Sequence, residues 1–121
     1  MAKALIVDDS KFMRRIIRST LEEGGHQIIE EADNGADGIK CYKRLKPDFV
    51  TMDITMGGKD GIRAVMEITS LDPTAKIVVV SALNENTIRQ NEPHIKASAF
   101  ITKPFDKDSL LDAVNNALKA K

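Results

Sequence analysis

Ile77-Val78-Val79-Val80, closed by Ser81, is an unbroken run of β-branched apolar residues. A strand with one wet face alternates apolar and polar side chains, so this run predicts a strand covered on both faces, at the centre of a parallel sheet. Working outward, similar short runs recur at Ala4 to Val7, Gln27 to Ala32, Phe49 to Met52 and Phe100 to Thr102. With the first run they make five candidate strands, and longer segments of helical period separate them. That alternation is the pattern of a parallel α/β sheet. Gln27 to Ala32 carries Glu30 and Glu31 and reads as an edge.

The segment after the first strand places Met13, Ile16, Ile17, Thr20 and Leu21 on one amphipathic stripe, with Ser10 as N-cap and Gly24-Gly25 as stop. Leu110, Leu111, Val114, Ala117 and Leu118 form a similar stripe in the last helix, and Asp60-Gly61 opens another around Ile62, Val65 and Met66. Asn34 to Leu45 predicts a weaker helix, because Gly35 and Gly38 lower its propensity. Pro93 must end or kink any helix between Asn84 and Lys96. Met13, Met52 and Met66 are expected in the core, and Cys41 as a small packed residue.

The chain has 121 residues, and Leu, Ile, Val and Phe make up about a quarter of them, which predicts one globular domain over 1–121 and excludes disorder. Lys plus Arg total 18 and Asp plus Glu total 18, so no long-range field gathers the chain onto nucleic acid or an anionic membrane. A single cysteine makes no internal disulfide, no apolar run approaches a membrane span, and no charged-then-apolar leader precedes the first strand. The expectation is a cytoplasmic monomer with no nucleic-acid or membrane partner. His26 and His94 stand apart from each other and from the cysteine, which argues against a metal site built on them.

In an open α/β sheet, ligands bind outside the carboxyl ends of the strands. Here the first strand runs into Asp8-Asp9, the third into Asp53, the fourth into Ser81 and the fifth into Lys103-Pro104. Each residue alone has a plainer reading. Asp9 or Ser10 caps a helix, Ser81 is a satisfied strand-end hydroxyl, and Lys103 is a solvated ammonium. Together they bring three carboxylates, a hydroxyl and a cation to one edge. Carboxylates so placed repel, and the remedies are a raised pKa, an ammonium partner or a divalent cation. Oxygen donors without His or Cys suit a hard ion such as Mg²⁺, and an Asp carboxylate can attack phosphorus to form an aspartyl phosphate.

With those residues in view, the chain resembles the receiver domain of two-component response regulators, of the single-domain chemotaxis type. The resemblance rests on Val7-Asp8-Asp9-Ser10, Met52-Asp53-Ile54-Thr55-Met56 with Asp60-Gly61, Val80-Ser81-Ala82, and Phe100-Ile101-Thr102-Lys103-Pro104-Phe105, in order along nearly the whole chain. It implies a flavodoxin-like doubly wound sheet of strand order 2-1-3-4-5 with five helices. It further implies that Asp53 is the phosphoacceptor for a histidine kinase. Asp8, Asp9 and Asp53 would hold Mg²⁺ with the backbone carbonyl of Thr55, and Lys103 would pair with the phosphoryl oxygens. Ser81 corresponds to a switch hydroxyl and Phe100 to an aromatic that follows it. Such a domain catalyses only its own phosphorylation and dephosphorylation, so it is expected not to be an enzyme. Since the sequence stops after the last helix, the expected output is a protein partner in chemotaxis or motility, a motor switch or another regulator.

The departures from the family pattern lie near the output face and the third loop. Gly57-Gly58 stands where Pro commonly follows the Met, which predicts a looser loop. Lys96 replaces a common glycine, Pro93 interrupts the fourth helix, and Phe100 lacks the hydroxyl of the tyrosine often found there. Thr55 and Leu83, two residues after the phosphoacceptor and the switch hydroxyl, are neither amides nor acids, so they orient an attacking water poorly. Lys11, Arg14, Arg15 and Arg18 read as a solvated stripe balancing Glu22 and Glu23. Two rivals remain. A haloacid-dehalogenase-like phosphatase needs Asp-x-Asp after the first strand and usually a cap domain, and a flavodoxin-like flavin carrier needs a phosphate loop where Asp8-Asp9 would repel it.

Overall fold

The computed structural model describes residues 2–57 and 59–120. Ten elements alternate along the chain: β1 (Lys3–Val7), α1 (Lys11–Glu23), β2 (Gln27–Ala32), α2 (Gly35–Leu45), β3 (Phe49–Asp53), α3 (Asp60–Leu71), β4 (Ile77–Ser81), α4 (Glu85–Asn91), β5 (Ala99–Thr102) and α5 (Lys107–Lys119). All strand pairs are parallel, in the order β2-β1-β3-β4-β5. The expected order and five helices are therefore present. β4 lies between β3 and β5 with every residue buried, and β2 forms a half-buried edge.

Alternation along the strands divides the core between two faces. Leu5, Val7, Val50, Met52, Ile77 and Val79 pack against Tyr42 of α2, Val65 and Ile68 of α3 and Ile88 of α4. Ala4, Ile6, Phe49, Val78 and Val80 pack against Ile17 and Leu21 of α1 and Leu110 and Val114 of α5. Helices on both faces explain why the central strands read as continuous apolar runs.

The helix signals act as read. Ser10 Oγ accepts from the Met13 amide at 3.1 Å, and Gly25 turns the chain after α1 with φ 87°. Asn34 Oδ1 accepts from the Asp37 amide at 2.8 Å, which offsets the weak propensity of α2. α4 has seven residues, starts behind the Asn84 cap and ends ahead of Pro93, so the segment reaching to Lys96 is only partly helical. Of the methionines expected in the core, Met52 is buried, Met13 is only partly buried and Met66 is exposed, as is Ile16 of the predicted α1 stripe. Ile16 and Met66 are 36% and 37% exposed, because the buried seam of α1 is Ile17, Thr20 and Leu21 and that of α3 is Ala64, Val65, Ile68 and Thr69. Met66 is rotated about 100° beyond Val65, away from the sheet. Gly58 of the third loop lies outside the described residues.

Thr51, on the same face of β3 as Phe49, is 1% exposed and its Oγ1 has no hydrogen-bond partner among the described residues. Burying an unpaired hydroxyl costs free energy that an isosteric methyl avoids. Thr51→Val is expected to raise stability by about 1 kcal/mol, read as a higher urea midpoint with unchanged slope. A lower midpoint would show that the hydroxyl is satisfied.

Candidate functional site

The strand order reverses between β1 and β3, and at that point the carboxyl ends of neighbouring strands open a crevice. Asp8 and Asp9 leave β1 there and Asp53 ends β3, so their position follows directly from where the apolar runs stop. One carboxylate oxygen from each of the three lies within 4.8 Å of the others, with Asp8 and Asp53 buried and Asp9 exposed. Lys103, one residue past β5, brings its Nζ to 3.4 Å from Asp8 Oδ2 and 3.3 Å from Asp53 Oδ2. The Lys103–Pro104 peptide is cis.

The neighbours of each carboxylate are specific. Asp8 Oδ1 accepts from the Ser10 amide at 2.8 Å, and its backbone carbonyl accepts from Arg14 Nη1 at 2.7 Å. Burial pushes the Asp8 carboxyl above the usual range and the Asp53 charge adds to this, while the Ser10 amide and Lys103 pull it down. Asp53 Oδ1 accepts from both the amide of Thr55 at 2.8 Å and its hydroxyl at 2.5 Å. Oδ2 is left facing Lys103. Gly61, in the first turn of α3, makes room for this arrangement: a Cβ there would lie 2.2 Å from the Asp53 carbonyl oxygen and 2.6 Å from Ile54 Cα. Asp60 ties the same turn to α2, accepting from the Gly35 amide at 2.6 Å.

An all-oxygen, partly dehydrated donor set with one ammonium for three carboxylates fits a hard divalent cation, whose charge would offset the burial that raises Asp8 and its repulsion from Asp53. The same site offers a carboxylate oxygen as nucleophile and a cation beside it.

Four of the predicted residues, Asp8, Asp9, Asp53 and Lys103, converge. Ser81 ends β4 fully buried on this edge, but its Oγ accepts from the Leu83 amide at 2.9 Å and, among the described residues, makes no hydrogen bond to the carboxylates. Phe100 is half-buried on β5 under the guanidinium of Arg89, 4.7 Å from the ring centroid. Three contacts escape sequence reading: the Thr55 hydroxyl on Asp53, Arg14 on the Asp8 carbonyl, and Arg89 over Phe100. The basic stripe of α1 matches expectation only at Arg18, whose Nη1 lies 3.5 Å from Glu22 Oε2. Arg14 and Arg18 pair chiefly with Glu31 on β2, at 3.0 and 2.6 Å, and Glu23 pairs with Lys107. β2 lies beside α1 in space, which sequence spacing does not reveal.

Comparison with known proteins agrees with this geometry. The family model described as response regulator receiver domain matches residues 4–115. The chain is 42% identical over 116 residues to the chemotaxis protein CheY of Bacillus subtilis, covering 96% of this chain and 97% of that protein. It is 41% identical over 117 residues to the chemotaxis protein CheY of Thermotoga maritima, covering 97% and 98%. Among solved structures, the CheX-CheY-BeF3-Mg complex of Borrelia burgdorferi matches with a TM-score of 0.89 and 32% identity, over 98% of this chain and 90% of that one. No helix among the described residues is long and apolar enough to cross a membrane.

Proposed function

The chain belongs to the response regulator receiver domain family, as a CheY-like regulator of a two-component system, and from that premise we propose that it is a switch thrown by phosphorylation of Asp53. The observation that carries the reading is the placement of Asp8, Asp9 and Asp53 around Lys103 at the point where the strand order reverses.

Thr55 occupies Asp53 Oδ1 with two hydrogen bonds, which leaves Oδ2 to attack phosphorus. The donor is the phosphohistidine of a histidine kinase. As the O–P bond forms, the P–N bond breaks and its electron pair stays on the imidazole nitrogen. Lys103 Nζ, already beside Oδ2, pairs with the phosphoryl oxygens. Asp8, Asp9 and Asp53, with the backbone carbonyl of Thr55, are the residues that would hold Mg²⁺, which would supply positive charge against the phosphoryl oxygens. Ser81 then gives up the Leu83 amide for a phosphoryl oxygen and Phe100 repacks toward it, which shifts a two-state equilibrium on the face of α4, β5 and α5.

The chain acts in this reading on itself alone, so it is a switch and not an enzyme with a separate substrate. The chemotaxis relatives support a motility pathway, and the CheX-CheY complex among the structural neighbours supports a protein target; the acting form in this reading is a cytoplasmic monomer. The test is intact mass after incubation with acetyl phosphate. One phosphoryl adduct formed with Mg²⁺ and absent with chelator supports the reading; no adduct, together with no beryllofluoride binding, overturns it.

The lifetime of the adduct follows from two side chains. Leu83 is 47% exposed and apolar, and the Thr55 hydroxyl is bound to Asp53, so neither positions water. Unaided dephosphorylation is expected to be slow for the family. Leu83→Asn or Thr55→Asn should quicken it about 10-fold, the worth of one well-placed hydrogen bond. Unchanged decay of both variants, followed by mass, would sink this.

A further inference from the structure

Arg89 projects from the exposed side of α4, and its guanidinium lies over the Phe100 ring at 4.7 Å from the centroid. Its Nε donates to Glu85 Oε2 at 2.8 Å, one turn earlier in the helix, so the planar group is tethered as well as stacked. Strand register pairs Phe100 with Val79 and Thr102 with Ser81. Since side chains alternate, Phe100 and Ser81 lie on the same face of the sheet as diagonal neighbours. On that face a cavity of about 60 Å³ sits beside Ser81, walled by Ile54, Leu83 and Ile88 among others. The ring thus has a cation across it at the surface, and the space beside Ser81, which the ring does not itself line, is on the same face of the sheet.

We propose that Arg89 is a positioning residue that latches Phe100 in its half-exposed placement and thereby sets the resting bias of the domain against the phosphorylated conformation. The proposal rests on the reading that Phe100 follows Ser81 when Asp53 is phosphorylated. A contact biases a two-state equilibrium only if it differs between the states. A ring drawn toward Ser81 moves away from a guanidinium anchored to Glu85 on the outer side of α4, so the cation–π contact belongs to the resting state. Removing it raises the fraction of molecules competent for the phosphoryl group, and the apparent affinity rises by the same factor. Glu85 acts through Arg89, by fixing the plane of the guanidinium.

The experiment measures beryllofluoride binding with Mg²⁺ by calorimetry, with the backbone amide signals of Ser81 and Phe100 followed by NMR. Arg89→Gln is expected to bind about 2- to 5-fold tighter, the factor that an exposed cation–π contact supports, and to move the resting amide signals toward their bound positions. Glu85→Gln should change both in the same direction by less. In a Phe100→Leu background, Arg89→Gln should have no effect, because the ring it acts through is gone. Equal affinity of Arg89→Gln and the native chain overturns the latch while leaving the phosphorylation reading intact. An equal gain with and without the Phe100 ring also overturns it, since Arg89 would then act through something else. Failure of every form to bind beryllofluoride overturns the phosphorylation reading and the latch with it. Arg89 and Glu85 are solvent-exposed, so the fold should tolerate both changes. Arg89→Lys gives an independent second variant: it keeps the charge, loses the stacked plane, and is expected to fall between native and Arg89→Gln.

Discussion

Asp53→Asn is expected to take up no phosphoryl group from acetyl phosphate, with Mg²⁺ present, where the native chain takes up one. The amide keeps nearly the same volume at a site that is 3% exposed, so packing is preserved. Its oxygen carries no formal charge, and its nitrogen has no lone pair to give. Attack by oxygen on phosphorus is thereby lost rather than slowed, so the effect on adduct formation should be complete by intact mass. Nucleophilic carboxylate chemistry also fixes the kind of adduct. An acyl phosphate is cleaved by hydroxylamine to leave a hydroxamate, so peptide mass after that treatment should place the modification on residue 53. Uptake by Asp53→Asn equal to native would move the acceptor elsewhere and remove the basis for assigning the site. Reduced metal binding by the same variant is expected too, because one of three carboxylates within 4.8 Å of one another has become neutral.

What the sequence makes legible here is what is local along the chain. The run from Ile77 to Val80 announces its own burial, and the residues that end each strand must lie on the sheet's carboxyl edge once the strands are parallel. Asp8, Asp9, Asp53 and Lys103 are found together for that reason alone. Contacts that depend on which helix covers which strand are illegible. Arg14 and Arg18 reach Glu31 because β2 flanks β1 on the α1 side, and nothing in the spacing of 13 to 17 residues encodes that. The exposed Ile16 and Met66 fail for a related reason: periodicity locates an apolar face but not how wide a strip its neighbour covers. The Thr55 hydroxyl was hidden by its own backbone, since the amide and the hydroxyl of one residue bind the same Asp53 oxygen.

Lys103→Met is expected to slow phosphoryl uptake by about 10²–10³-fold, the loss typical of removing one preorganised charge that stabilises a transition state. The ammonium is 20% exposed and stands between two carboxylates at 3.3 and 3.4 Å, so it is already held where charge on the phosphoryl oxygens develops. The same substitution should also lower stability without metal, and pH separates the two effects. The folded Asp8 carboxyl lies above its ordinary value, so the folded state binds its proton more tightly than the unfolded chain does. Ionised Asp8 therefore counts against folding near neutrality, and stability is regained as pH falls through the raised folded value toward the unfolded one. Lys103 works against that cost, and removing it enlarges the cost. The urea midpoint of Lys103→Met should then lie below native near pH 7 and approach it in mild acid, whereas Asp8→Asn should lie above native near pH 7. Added Mg²⁺ should recover part of the Lys103→Met deficit, because it replaces the missing positive charge. A Lys103→Met variant that takes up phosphoryl groups at the native rate while showing the stability deficit would make Lys103 a structural counter-ion only. The attack of Asp53 would then depend on other charges at the site.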